Sequence, residues 1–179
     1  MENSVLLQEI KKFKNDFIND NTKNAFNKKK AKIDASKYVC ENYDLNNLLN
    51  KTAFIVTDEI TGKNTNNIYI DYTAFKLYAN PENYEKIIIH ILQIFDILVN
   101  ENIYFEIHLN LKSFTVSSAE RHKTFIELFS KECLKSHTKY SSKISKIIVT
   151  NTPSVIDFIS KIFNPWIDPE LKDRFYFIK

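Results

Sequence analysis

The sequence of 179 residues is long enough for one domain, and 44% of its residues are hydrophobic, which excludes a wholly disordered chain. Lysine and arginine number 25 against 22 aspartates and glutamates, and the net charge of +3 excludes the concentrated positive charge typical of nucleic-acid-binding proteins. The single glycine, Gly62, excludes the glycine-rich loops that cradle phosphates and dinucleotides.

Cysteine usage and hydropathy favour a cytoplasmic protein that is soluble. Cys40 and Cys133 lie far apart, without histidine or cysteine neighbours at ligand spacing, so we expect a reducing compartment, no disulfide and no metal or other cofactor. The N-terminus lacks the pattern of a secretory signal. The most apolar run, IIIHILQIFDILV at 87–99, is too short to span a bilayer and contains three polar residues.

Residues 1–50 predict a helical and basic N-terminal extension. Its first helix is indicated by apolar residues at helical spacing: Leu6, Ile10, Phe13 and Phe17. The polar stretch 19–32 is interpreted as a linker or a second helix, and 34–50 as a further short helix. The KKKAK cluster at 28–32 is typical of a solvated surface, with contact to anionic lipid or phosphate as the alternative.

Residues 52–179 predict an α/β domain. Two β-rich runs around Gly62 predict a hairpin, and Asn80-Pro81-Glu82 predicts the start of a mostly buried helix. The later elements are predicted as a strand at 102–111, a helix at about 117–137, a strand at 144–150, a closing helix and a final FYFI strand. Because strands alternate with helical connections, we expect a mainly parallel sheet with helices packed on it.

The sequence contains little that predicts catalysis. In the strand NIYFEIHLNL, Glu106 and His108 share one face and form a candidate acid–base pair, but alternation alone often produces such pairs. The four histidines lie singly on different elements or far apart, and we interpret each as solvated or hydrogen-bonded rather than as a ligand: His90, His108, His122 and His137. We therefore expect the chain not to be an enzyme.

The closing segment carries the most specific pattern. VTNTP at 149–153 precedes a helix with a wide apolar face, and that helix ends at Asn164-Pro165, before WIDP and ELKDRFYFI. This punctuation resembles the signature of CRAL-TRIO lipid-binding domains: Asn151, Pro153, Pro165, Asp168 and Pro169 match it without a gap. Upstream, HLNLKSFTVSS resembles the strand and tight turn of that family, with Asn110 in place of an acid and Ser113 in place of a glycine.

The resemblance implies that the helix at 154–164 is a gate over an apolar pocket on the sheet, which exchanges a lipid or another hydrophobic molecule at a membrane. Exposing the four largest apolar side chains of its face in water would cost roughly 6 to 12 kcal/mol. The implied pocket and gate residues are Ile107, Leu109, Phe114, Ile148, Ile156, Ile159, Phe163 and Trp166. Candidate contacts to a phosphorylated headgroup are Lys143, Lys146 and Lys161, for which ordinary solvated lysines are the alternative.

Two functions follow from this resemblance. The first is non-enzymatic binding of a hydrophobic small molecule or phospholipid, with lipid transfer and transient peripheral membrane contact. The second is a protein-interaction or scaffold module that docks a partner protein or belongs to a larger assembly, without a lipid cavity. The related BCH-type branch docks partner proteins on the same scaffold, and LVNENIYFEIHLN resembles that branch as well. We expect no nucleic-acid partner under either hypothesis.

Overall fold

The structure is a computed structural model that describes residues 2–21, 28–135, 138–154 and 167–178. Its elements were assigned within these ranges. The helices are α1 Glu2–Asn21, α2 Lys28–Asn42, α3 Leu45–Thr52, α4 Tyr72–Tyr78, α5 Tyr84–Asn100, α6 Val116–Arg121, α7 Lys123–Cys133 and α8 Pro169–Lys172. The strands are β1 Ala53–Thr57, β2 Asn64–Asp71, β3 Phe105–Asn110, β4 Ile144–Thr150 and β5 Phe175–Phe177.

The five strands form one sheet in the order β1-β2-β3-β4-β5. The first two strands are antiparallel and joined by a hairpin, in which Gly62 takes a φ of 66° that favours glycine. All later pairs are parallel, because a helical connection returns the chain to the same end of the sheet each time. The predicted fold class, a mainly parallel sheet with packed helices and an N-terminal helical segment, is confirmed.

The N-terminal helices pack on one another and on α4. Phe13 of α1 stacks on Tyr38 of α2 with ring centroids 4.8 Å apart. Lys14 is buried, and its Nζ donates to Ser36 Oγ of α2 and to the carbonyls of Lys76 and Leu77 in α4. The basic stretch from 28 to 32 belongs to α2, which agrees with the second helix that was one of the two interpretations of the polar stretch. The division of the chain at residue 50 stays a prediction.

Two predicted elements have different boundaries in the structure. The second strand of the hairpin ends at Asp71, whose side chain accepts a hydrogen bond from Thr73 N and so caps α4, a helix that the sequence pattern did not predict. The long helix predicted at 117–137 is divided at His122 into α6 and α7, and its start is capped by Thr115 rather than by a serine.

Helix α5 covers one face of the sheet and carries the centre of the core. Phe95 is fully buried against Phe105 of β3, with ring centroids 5.0 Å apart, and against Tyr140 at 5.5 Å. On the polar side of the helix, His90 Nε2 forms a hydrogen bond with the carbonyl oxygen of Ala53 at 3.1 Å. No helix within the described ranges is long and apolar enough to cross a membrane.

Candidate functional site: an apolar cavity on the sheet

The floor of the site is formed by alternate residues of the central strands. Residues paired across parallel strands lie on one face of a sheet, so the rows Ile107–Ile147 and Leu109–Val149 share a face. Ile70 of β2 extends the second row on one side. On the other side, the rows end at two residues of β5, Phe175 and Phe177.

The wall opposite the sheet is aromatic. Phe75 of α4 lies 4.6 Å from Phe125 of α7, measured between ring centroids, and Phe125 is nearly parallel to Phe129 one turn later. Tyr72 meets Phe114 edge-on at 4.8 Å. Because these rings brace one another from different elements, the wall cannot simply collapse onto the floor.

A partly open cavity of about 270 Å³ lies between floor and wall. A cavity of about 150 Å³ lined by aliphatic and aromatic residues holds one benzene molecule, so this space suits roughly eleven non-hydrogen atoms. The described lining residues are mostly apolar, and the polar ones among them are Thr52, His122, Ser130 and Lys172. Of these, Lys172 is exposed, so its charge is solvated rather than enclosed.

The interior lining of the described part of the chain carries no charge at neutral pH. Burial, reinforced by the neighbouring positive charge of Arg121, lowers the pKa of His122 to about 3, so the imidazole is neutral. Burial also raises the pKa of Tyr72, whose phenol keeps its proton. Thr52 Oγ1 already donates to the carbonyl of Leu48 and accepts from the hydroxyl of Tyr78. The arrangement can therefore enclose an uncharged apolar molecule.

Three of the residues predicted for the pocket line this cavity: Ile107, Leu109 and Phe114. Ile148 lies on the opposite face of β4, because successive side chains of a strand alternate, and its neighbours Ile147 and Val149 line the cavity instead. The four predicted gate residues, Ile156, Ile159, Phe163 and Trp166, lie outside the described residues, as does Lys161. Their roles stay predictions.

The predicted headgroup lysines are not brought to the cavity. Lys146 is paired with Glu106 across the sheet, on the face opposite the cavity, and its Nζ lies 3.3 Å from Glu106 Oε1. Lys143 precedes β4, where its Nζ bonds Asn102 and lies 4.3 Å from the centre of the Tyr104 ring. Both lysines therefore have partners away from the cavity, and neither is among its lining residues.

The candidate acid–base pair also faces away from the cavity. Glu106 Oε2 lies 3.5 Å from His108 Nε2, so the two side chains are adjacent as the alternation predicts. Glu106 is shared with Lys146, which makes the group an ion-pair cluster on the open face of the sheet. No group of three or more His, Cys, Asp or Glu side chains within the described ranges is arranged to hold a metal.

Sequence reasoning missed most of the wall. Phe125 and Phe129 stand four residues apart, which is a helical signal, but nothing in the sequence says that they face a cavity rather than a filled core. Phe75 was missed because α4 was interpreted as the continuation of a strand. His122 is hydrogen-bonded to Tyr84, as one of the two interpretations of this histidine has it, but nothing in the sequence indicates that it is 2% exposed and lines the cavity.

Comparisons with known proteins agree with this architecture. Residues 109–179 match the model of the CRAL/TRIO domain family, which confirms the predicted resemblance from the end of β3 onward. The crystal structure of Sfh5 has the same fold, with a TM-score of 0.54 at 13% identity. That match covers 73% of this chain and 48% of the other, so the chain spans about half the length of Sfh5. Among curated proteins, none matches the sequence.

Proposed function

We propose, from the premise that the chain carries a CRAL/TRIO domain, that it binds a hydrophobic ligand in the cavity between the sheet and helices α4, α5 and α7. The family match supports lipid binding in general. The observation that carries the proposal is the cavity of about 270 Å³ with its largely apolar lining. The ligand is a small lipid or the apolar part of a larger one, and binding involves no catalysis.

The apolar lining supports a hydrophobic ligand, because the free energy of binding would come from moving the apolar surface of the ligand out of water and into the cavity. Each buried methylene group contributes about 0.8 kcal/mol. A ligand that fills the space with about eleven non-hydrogen atoms therefore gains close to 9 kcal/mol before the costs of association. Cytoplasmic location, exchange at a membrane surface and a gate formed by residues 154–164 belong to this proposal.

A pair of tryptophan substitutions tests the proposal. Leu109 lines the cavity from β3, whereas its isomer Ile148 lies on the opposite face of β4. Leu109→Trp adds six non-hydrogen atoms to a space that holds about eleven, so the affinity for a ligand of that size should fall by a factor of 100 or more. Ile148→Trp adds the same atoms elsewhere and should leave the affinity unchanged.

The readout is uptake of dodecanol, together with native mass spectrometry of the purified chain to detect lipid that is already bound. Circular dichroism and thermal melting establish that both variants remain folded. Equal uptake by the wild type and Leu109→Trp, or no uptake of any apolar probe by the wild type, would contradict the proposal.

Docking of a partner protein is a second candidate function, favoured by the open face of the sheet. Phe54 and Tyr176 are 40% and 49% exposed there, on either side of Tyr69, His108 and Ile148 in one row across the strands. Exposed aromatic side chains grouped in this way are typical of contact surfaces. A Tyr176→Asp variant that still recovers every protein co-purifying with the wild type would argue against docking through this face.

A further inference from the structure

His122 occupies a special position at the cavity wall. It lies between α6 and α7 with a φ of −101° and a ψ of 16°, so the break between the two helices turns its ring inward. The ring lies edge-on to Phe75, with centroids 5.0 Å apart, and is nearly enclosed, at 2% exposure. Its ring is among the groups that line the cavity.

One edge of this ring is already used. Nδ1 lies 2.8 Å from the hydroxyl oxygen of Tyr84. The same hydroxyl lies 3.5 Å from a second acceptor, the carbonyl oxygen of Arg121. Burial raises the pKa of Tyr84 to about 12, so the phenol keeps its proton, and we assign its hydrogen bond to Nδ1 because that acceptor is nearer than the Arg121 carbonyl. A neutral imidazole that accepts at Nδ1 carries its own hydrogen at Nε2.

The other edge is unused. Nε2 of His122 is sealed from solvent and has no hydrogen-bond partner within the described part of the chain. Buried donors almost always have a partner, so an unpaired N–H at the wall of a cavity requires an explanation. The His122 ring lines the cavity and its Nδ1 is held by Tyr84, so Nε2 is the polar atom of the ring that remains available to a ligand, although it is covered in this arrangement.

From this arrangement, and resting on the proposed function, we infer that the ligand carries an uncharged oxygen acceptor, a carbonyl or hydroxyl group, which accepts a hydrogen bond from His122 Nε2. An ionised carboxylate does not fit this position, because a buried anion needs a positive partner and His122 is neutral at physiological pH. Since Nε2 is covered by its neighbours, these must shift slightly to let the oxygen reach it. The remainder of the ligand is apolar and fills the space between the sheet and α7.

Two probes of equal carbon skeleton test the inference: 2-acetylnaphthalene, which has a carbonyl oxygen, and 2-ethylnaphthalene, which has none. Both have close to the eleven non-hydrogen atoms that the cavity accommodates. Dissociation constants are measured by depletion of the free probe, followed by gas chromatography, for the wild type and His122→Phe. A hydrogen bond of ordinary strength should make the preference for the ketone about fivefold larger in the wild type than in the variant.

A matched control separates the hydrogen bond from packing. Phe125→Leu alters the same wall without a polar group, so it should change both affinities and leave their ratio within about twofold of the wild type. His122→Phe leaves the hydroxyl of Tyr84 without its partner and could fold poorly for that reason. In that case the double variant His122→Phe/Tyr84→Phe, which removes both partners of the hydrogen bond, is used instead of the single variant.

An infrared measurement on the wild type needs no variant. The carbonyl stretch of bound 2-acetylnaphthalene should lie below its frequency in cyclohexane, because a hydrogen bond weakens the C=O bond. Binding of both probes with an unchanged ratio in His122→Phe, or a carbonyl stretch at the cyclohexane value, overturns this inference and leaves the proposed function standing. Failure of the wild type to bind either probe overturns the proposed function and this inference with it.

Discussion

Replacing the buried amine of Lys14 with the methionine side chain should change how the stability of the protein depends on pH. Burial lowers the pKa of Lys14 from 10.5 to about 7, with smaller contributions from positive neighbours that include Arg121, Lys76 and Lys32. Nζ is nevertheless well placed, since it donates to a hydroxyl and to two carbonyls at 2.7 to 2.9 Å. The ammonium therefore connects α1 to α2 and α4 by three hydrogen bonds, of which the neutral amine, with two N–H groups, can donate two.

The direction of the effect follows from proton binding. The unfolded chain keeps the Lys14 proton up to about pH 10.5, whereas the folded chain releases it near pH 7. Between these values the unfolded state binds more protons, so the contribution of Lys14 to the free energy of unfolding rises with pH. Below pH 7 both states are protonated and the contribution is constant. From pH 7 to pH 8.5 the expected rise is about 1.5 kcal/mol.

Urea unfolding of the wild type and Lys14→Met at pH 6, 7, 7.75 and 8.5 measures this rise. The difference in stability between the two proteins cancels the titration of thiols and tyrosines that both contain. It should shift in favour of the wild type by about 1.5 kcal/mol across the upper half of the range. Lys30→Met, which removes an exposed lysine of α2, should give a curve parallel to the wild type. Parallel curves for Lys14→Met as well would refute the argument, because they would mean that the folded pKa is not lowered.

Two further predictions concern the backbone of a turn and the reactivity of a thiol. Ser113 has a φ of 66°, a conformation that costs an ordinary residue about 1 to 2 kcal/mol but does not cost a glycine. After the entropic cost of glycine is subtracted, Ser113→Gly should raise the free energy of unfolding by about 0.5 to 1 kcal/mol. An unchanged or lower urea midpoint would show that the lost hydrogen bond from Lys76 to the Ser113 hydroxyl matters more. Cys133 is fully buried, and burial raises the pKa of its thiol. In a Cys40→Ser variant at pH 8, a thiol reagent should therefore label the native chain at least about a thousandfold more slowly than the urea-unfolded chain. Comparable rates would mean that α7 opens locally.

The sequence was most informative about the site where apolar and polar residues alternate regularly along a whole strand. In β3 the alternation places Ile107 and Leu109 on the packed face and Glu106 and His108 on the other, as the register with the neighbouring strands requires. Since that periodicity fixes a face, these two cavity residues could be predicted before any coordinates. The same rule, applied to β4, assigns Ile148 to the opposite face from Ile147.

The sequence was least informative where tertiary contacts decide the backbone. Helix α4 has only seven residues, several of them aromatic or β-branched, and its composition favours a strand. It becomes a helix because Asp71 caps it, Tyr72 packs against Phe114 in the loop before α6, and Phe75 packs against Phe125 of α7. The predicted long helix is divided at His122 without a glycine or proline in the sequence to indicate the break. The hydrogen bond between His122 and Tyr84 at this break joins residues 38 positions apart, so local sequence could not predict it.

The cavity itself follows from these unpredicted contacts and is the strongest physical reason to assign a ligand. Its lining leaves apolar side chains beside a partly open space of about 270 Å³, and covering such surface contributes about 25 cal/mol per Å² of apolar area removed from water. The aromatic wall could cover that surface only by moving toward the sheet, which the mutual contacts of Phe75, Phe125 and Phe129 oppose. Under the proposed function, the ligand covers this surface in the folded chain and not in the unfolded one, so stability should rise with ligand concentration. The melting temperature would then report how much of the cavity is occupied.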